Sequence, residues 1–381
     1  MRALAETVNG ELPFFSFVRG DESLLVSQGI AMRKDWLDDL GLEAPETIEE
    51  FENALRRFKN EKGAAAPLFA NLAAFKLGFF VGAYDVKYGY YNDNGTVKYG
   101  PLDPKFKDFV ILMNKWCKEG LLNSESFNLD AAKQDSNLLN GTTGAMVMSI
   151  GGGIGKYLTA APDSKYDLIG VQNPVLQKGK INEFGACESV VPNITQAYTA
   201  VSAETDKLDS VLKYLDFGYS DEGHMLYNFG IEGESYNLVD GYPKYVDKIT
   251  NNPDGYAMNV MLGQYTCSYS GGPFVQDKRY MEQYGGRPQQ QAAWKTWEKT
   301  NAKNHNLPPL SMYFVGDEQQ EYAMLSNSIN TYIDEKITKF ILGIEPISNY
   351  DDMIKEIKNR GIDRAIEINQ NAYNRYLSKL K

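Results

Sequence analysis

The sequence predicts an α/β protein of more than one lobe, and three observations carry that expectation. Capped, amphipathic helix patterns alternate with short apolar runs through most of the chain, the arrangement of sheets covered by helices. The 381 residues exceed what one small core organises and suit two lobes of ordinary size. Apolar residues at 43% and charged residues at 23% are those of a globular chain, which excludes wholesale disorder and coiled coil.

The elements follow in order. Residues 23–32 read as a first strand. Thr47-Ile48-Glu49-Glu50, after Pro45, is a capping box; Ile48, Phe51, Leu55 and Phe58 then share one helical face, and Gly63 stops it. Residues 66–70 read as a second strand. Asp103-Pro104 supplies an N-cap and a proline at the first helical position, with Phe106, Phe109, Val110, Met113 and Trp116 as the stripe and Gly120 as the end. Runs 144–150, 166–171 and 181–192 are strand-like, and 190–201 reads as strand with a Pro-Asn break. Leu208, Val211, Leu212 and Leu215 mark a helix, and Ser220-Asp221-Glu222 caps another. Residues 241–291, rich in Tyr, Gly, Asn and Pro, read as an irregular surface excursion. Asp317 opens a long helix with Ile329, Ile333, Ile337 and Phe340 inside and Gly343 at its end. Ser348 and Asp351 cap a helix running to Gly361, and a last helix carries Ile366, Tyr373 and Leu377.

Composition then narrows the function. A net charge of −11, from 39 basic and 50 acidic residues, excludes a phosphate-neutralising surface and with it a nucleic-acid partner. Two histidines, His224 and His305, have neither a HExxH nor a GxSxG context, and three cysteines form no CxxC pair. No metal site or cofactor is expected. The uncharged run 136–155 is interrupted by six glycines, so no bilayer span is expected, and the N-terminus shows no export-signal pattern. Aromatics reach 12%, with 25 tyrosines, a supply of rings with hydroxyls that suits sugar faces as well as cores.

A glycine-rich segment, Ser149-Ile150-Gly151-Gly152-Gly153-Ile154-Gly155-Lys156, invites a phosphate-loop reading and fails it. Ile150 and Tyr157 stand where Gly and Ser or Thr are required, and Lys156 breaks the dinucleotide pattern. The turn is instead expected at the C-terminal end of a strand, where open α/β sheets bind ligands, with glycines leaving room for a bulky solute. Glu183 and Glu188 raise a glycosidase reading; at odd spacing on one strand they would face opposite sides and make a poor acid pair. Trp36, and Trp294 with Trp297 three apart on a helix, are expected in cores.

Four segments together carry a resemblance. They are Ile30-Ala31-Met32-Arg33-Lys34-Asp35-Trp36-Leu37-Asp38-Asp39-Leu40-Gly41-Leu42 running on through Pro45 and Thr47-Ile48-Glu49-Glu50-Phe51; Asn140-Gly141 with Gly144-Ala145-Met146; Tyr219-Ser220-Asp221-Glu222-Gly223 through Phe229-Gly230-Ile231-Glu232-Gly233-Glu234-Ser235-Tyr236; and Phe340-Ile341-Leu342-Gly343 through Tyr350-Asp351 to Ile368-Asn369-Gln370-Asn371-Ala372-Tyr373-Asn374-Arg375-Tyr376. In this order they resemble the signatures of family 1 extracellular solute-binding proteins, the sugar-binding lipoproteins of ABC importers in Gram-positive bacteria. Tyr350 and Asn374 stand where that family usually has Trp and Asp.

The resemblance implies a periplasmic-binding-protein-like fold, two α/β lobes joined by a crossover hinge with the solute between them. Residues 1–17 would end the first lobe and form the first crossover, and 18–182 the second lobe. Residues 183–310 would return to the first lobe with the excursion 241–291, and 311–381 would complete the second. Little precedes the segment like Asn9-Gly10-Glu11-Leu12-Pro13, so the first lobe is expected to be incomplete by on the order of 100 residues, at about 30 per βαβ unit. The implied function is non-catalytic capture of an oligosaccharide, by a monomer working with ABC permease subunits and held to the extracellular membrane face through a lipid anchor outside this chain. The alternatives are a carbohydrate-active α/β enzyme or a receptor for a peptide or other small solute. Expected ligand residues are Asn71, Phe75, Gly152, Glu188, Tyr236, Tyr313 and Phe314, the aromatics as stacking platforms and Glu188 as an acceptor of sugar hydroxyls.

Overall fold

A computed structural model of the chain describes residues 2–128, 131–191, 198–256, 258–267 and 271–381. Its organising element is a four-stranded mixed sheet made of Gln28–Arg33 (β1), Leu68–Phe69 (β2), Ala145–Ser149 (β3) and Leu168–Val171 (β4), in the order β2-β3-β1-β4. β1 runs antiparallel to both neighbours, pairing Ile30 with Val147 and with Val171, and β2 runs parallel to β3. Alternation along each strand feeds two separate cores. Ile30, Met32, Leu68, Ala145 and Val171 point to one, Ala31, Phe69, Met146, Met148 and Leu168 to the other.

The first core is built by helices whose stripes were legible. In Ile48–Glu61 (α1), Thr47 and Glu50 form the capping box and Ile48, Phe51, Leu55 and Phe58 are buried. In Pro104–Lys118 (α2), Asp103 caps the Lys105 amide and all five stripe residues are buried. The second core is closed by Pro288–Trp297 (α3), which lies against β1 and β4. A Cβ on Gly29 would come within 2.3 Å of the Trp297 indole, so only glycine lets helix and strand approach this closely. Trp294 donates its indole N–H to the Ser23 carbonyl at 2.9 Å, and Trp297 donates to Ile30 and Val171 at 3.1 Å each. Both are core residues, as expected. The helix expected at Trp294 and Trp297 packs on the main sheet.

Glu318–Leu342 (α4), Tyr350–Asn359 (α5) and Ile362–Lys379 (α6) complete the first core, with Ile329, Ile333, Ile337 and Phe340 fully buried.

Several expectations are corrected. Residues 23–27 do not join the first strand, because Asp21 caps a 3-10 turn over Glu22–Leu25. Residues 181–191 form no strand; of 190–201 only Tyr198–Thr199 is one, and 192–197 lie outside the described residues. Leu208–Phe217 is helical but buries only Leu215 of its stripe, with Leu208 and Leu212 exposed. Ser348 makes no cap: α5 starts behind a 3-10 turn at Ile347–Asn349. The stretch 241–291 holds the strand Tyr242–Tyr245 and the helices Asp247–Thr250, Met258–Tyr265 and Lys278–Tyr284 besides the start of α3.

Candidate functional site

Three extended segments pass side by side where the chain leaves and re-enters the sheet. The Glu188 amide donates to the Leu25 carbonyl at 2.7 Å, the Arg19 amide to Val190 at 2.9 Å, and the Asn306 side-chain amide to Cys187 at 2.9 Å. These single bonds, rather than a ladder, are why 181–191 is not a strand. Between the segments and the start of α4 opens a cleft of two adjoining cavities, about 620 and 250 Å³, large enough for several sugar units.

One wall is aromatic. Phe314 stacks obliquely on Tyr322 at 5.0 Å between ring centroids, and Tyr322 lies 6.2 Å from Tyr90. All three rings are partly exposed and line the larger cavity. Burial pushes the Tyr322 hydroxyl above the usual phenol range, so it remains a neutral donor and acceptor at physiological pH.

The facing wall is polar. Glu188 forms an ion pair with Arg19, and the Ser27 hydroxyl donates to its other oxygen at 3.1 Å. Arg19 also donates to Gln276 Oε1 at 3.3 Å, and burial lowers its pKa to about 10. Lys87 donates to Asn306 Oδ1, and burial lowers its pKa to about 8. Burial pushes the Cys187 thiol upward, which keeps it protonated and unreactive. The site offers hydrogen-bonding groups against ring faces. It offers no acid pair: Glu183 accepts from Asn301 at 2.8 Å and Glu188 is held by Arg19 and Ser27. Among the described residues no cluster of His, Cys, Asp and Glu is arranged to hold a metal ion, and no helix is long and apolar enough to cross a membrane.

Of the expected ligand residues, the structure brings Glu188 and Phe314 together in this cleft. Phe75 is fully buried with its ring edge-on to Phe109 at 5.1 Å, so it has no face to offer a sugar. Tyr236 is buried against Phe229 in a two-stranded hairpin, and Tyr313 is fully buried with its hydroxyl donated to the Ala3 carbonyl. Asn71 caps the short helix Leu72–Lys76 by accepting from the Ala74 amide at 3.2 Å. Gly152 lies in the turn at Ile150–Gly155, away from the cleft. Gly151 and Gly155 line a separate cavity of about 690 Å³. A Cβ on Gly151 would fall 1.9 Å from the Tyr284 ring and one on Gly155 2.6 Å from Gln290, so their smallness serves packing. Sequence reasoning missed Tyr90, Tyr322, Lys87 and Asn306.

The chain is similar to known proteins in fold and in sequence. The crystal structure of alginate-binding protein AlgQ2 superposes with a TM-score of 0.80 at 22% identity, over 98% of this chain and 76% of that one, which shows the two-lobe fold of solute-binding proteins. Lipoprotein LipO of Bacillus subtilis (strain 168) is 26% identical over 278 residues, 69% of this chain and 53% of LipO, so the chain spans about half the length of that relative. The fructooligosaccharide ABC transporter substrate-binding protein FusA of Streptococcus pneumoniae serotype 4 is 22% identical over 412 residues, 98% of this chain and 71% of FusA. The family model for bacterial extracellular solute-binding proteins matches residues 12–225, more than half of the chain. A cleft at the crossovers, the shared fold and that match lead to one conclusion: the chain belongs to the bacterial extracellular solute-binding proteins.

Proposed function

We propose that the chain captures an oligosaccharide in the crossover cleft and delivers it to the permease subunits of an ABC importer, without catalysis. The observation that carries this is the pairing of an aromatic wall, Tyr90, Tyr322 and Phe314, with a polar wall built from Glu188, Arg19, Ser27 and Asn306. Pyranose rings present apolar faces and hydroxyl edges, and these two walls match them. FusA, a fructooligosaccharide ABC transporter substrate-binding protein by name, supports the same reading. The protein acts as a monomer on the extracellular face, held there by a lipid anchor, with the crossovers serving as the hinge on which two lobes close. Of the expected ligand residues, Glu188 and Phe314 are retained as contacts, with Tyr90 and Tyr322 added.

Isothermal titration against a panel of neutral and acidic oligosaccharides tests this. At least one glycan binds, and Tyr322→Ala weakens it about tenfold, the loss of one stacking platform of roughly 1 kcal/mol or more. Binding of peptides but of no glycan would overturn the saccharide assignment, and release of a shortened glycan would overturn the non-catalytic one.

A further inference from the structure

One cation in the cleft is unmatched. Lys87 lines both adjoining cavities, and its ammonium is oriented by Asn306 Oδ1. Asn306 is fixed in turn by its bond to the Cys187 carbonyl. Among the described residues Lys87 enters no ion pair, whereas the other charges at the cleft are matched: Lys76 with Asp334, and Arg19 with Glu188. In a chain with 50 acidic and 39 basic residues, a partly buried lysine without a carboxylate is not what surface statistics supply. A neutral amide orients the ammonium and does not neutralise it, so a dehydrated charge is retained at a cost to the empty protein. The depressed pKa of about 8 expresses that cost.

A cost held open in a binding cleft is recovered when the missing counter-charge arrives with the ligand. Lysine is a point charge with three donors, which a single carboxylate can satisfy. The Tyr90 ring lines the same two cavities and offers the adjoining sugar a face. We propose that Lys87 anchors a carboxylate of the bound saccharide, so that the cleft selects oligosaccharides built from uronic acids. This rests on the saccharide reading of the cleft, and it fixes the charge of the sugar.

The test compares a galacturonic acid trimer with its methyl-esterified counterpart, which keeps the sugar chain and removes the charge. The wild-type chain is expected to bind the acid at least tenfold tighter, with a preference that shrinks as salt is raised. Lys87→Met abolishes the preference. Asn306→Asp, which supplies an internal carboxylate to Lys87, also abolishes it while leaving the lysine in place, so the test survives if one variant fails to fold. Equal wild-type affinity for acid and ester would overturn the proposal, as would a preference that persists in both variants. If neither form binds but neutral oligosaccharides do, the charge assignment falls and the saccharide reading stands. If no glycan binds at all, both fall.

Discussion

Glu188 shows how a residue can be legible in place while its partners are not. Its position at a crossover identified it as a cleft residue, and it does line the cleft. Both its oxygens have protein partners, Arg19 and Ser27, so it stands in the wall as one member of a partly buried ion pair. Removing one member of such a pair strands the other. Glu188→Ala is therefore expected to lower stability by about 2 kcal/mol, because Arg19 keeps only Gln276 as a side-chain acceptor. Urea denaturation of the variant checks this, and an unchanged midpoint would mean the pair is fully solvated. The aromatic candidates divide for a related reason. A ring beside a strand end points inward or outward according to backbone direction, which sequence does not give. Phe75 and Tyr313 point inward and Phe314 outward. Tyr322 escaped notice because it stands seven residues before Ile329, on the stripe that reads as core.

At the scale of elements, periodicity and capping were reliable wherever a helix packs on one face. α1 and α2 begin and bury as their caps and stripes require, and one residue ties them together. Glu52 accepts from Lys115 at 2.7 Å, from the Trp116 indole at 2.8 Å and from Arg56 at 2.9 Å. Burial alone would raise its carboxyl, but these three donors outweigh it and hold the pKa at about 2. The unfolded chain titrates near 4.3, so the contribution is full above about pH 4.5 and is lost as pH falls toward about 2. Glu52→Gln is expected to cost about 1–2 kcal/mol at pH 7, a deficit that closes across that acid window. Denaturation midpoints measured from pH 7 to 3 decide it; a deficit independent of pH would place the loss in packing instead. Extended segments were less legible than helices. The run 181–191 has strand composition yet spends its backbone groups on isolated bonds between neighbouring segments, and only the start of α3, residues 288–291, fell in the stretch read as irregular. Tertiary partners decided both.

For the whole molecule, the two faces of one sheet feed two cores, and the cleft lies where the chain passes repeatedly between them. That topology was recognisable from the motifs, since Ile30 through Phe51 and Phe340 through Tyr376 carry the family's pattern on a central strand of the sheet, the start of α1 and the closing helices. The candidate cleft was only partly legible: of the expected ligand residues, Glu188 and Phe314 line it and the others do not. The glycine-rich turn promised a ligand surface and proved to be packed against Tyr284 and Gln290, beside a separate cavity of about 690 Å³. This cavity and the cleft of Glu188 and Tyr322 are the two places where a saccharide would bind. Hydrogen–deuterium exchange with and without the tightest-binding oligosaccharide tells them apart directly. Protection is expected at residues 25–28, 185–191 and 306–311, the three segments that line the cleft, and over 319–322 at the start of α4. Protection confined to the turn at Ile150–Gly155 and to residues 250–259, with those segments unchanged, would contradict it.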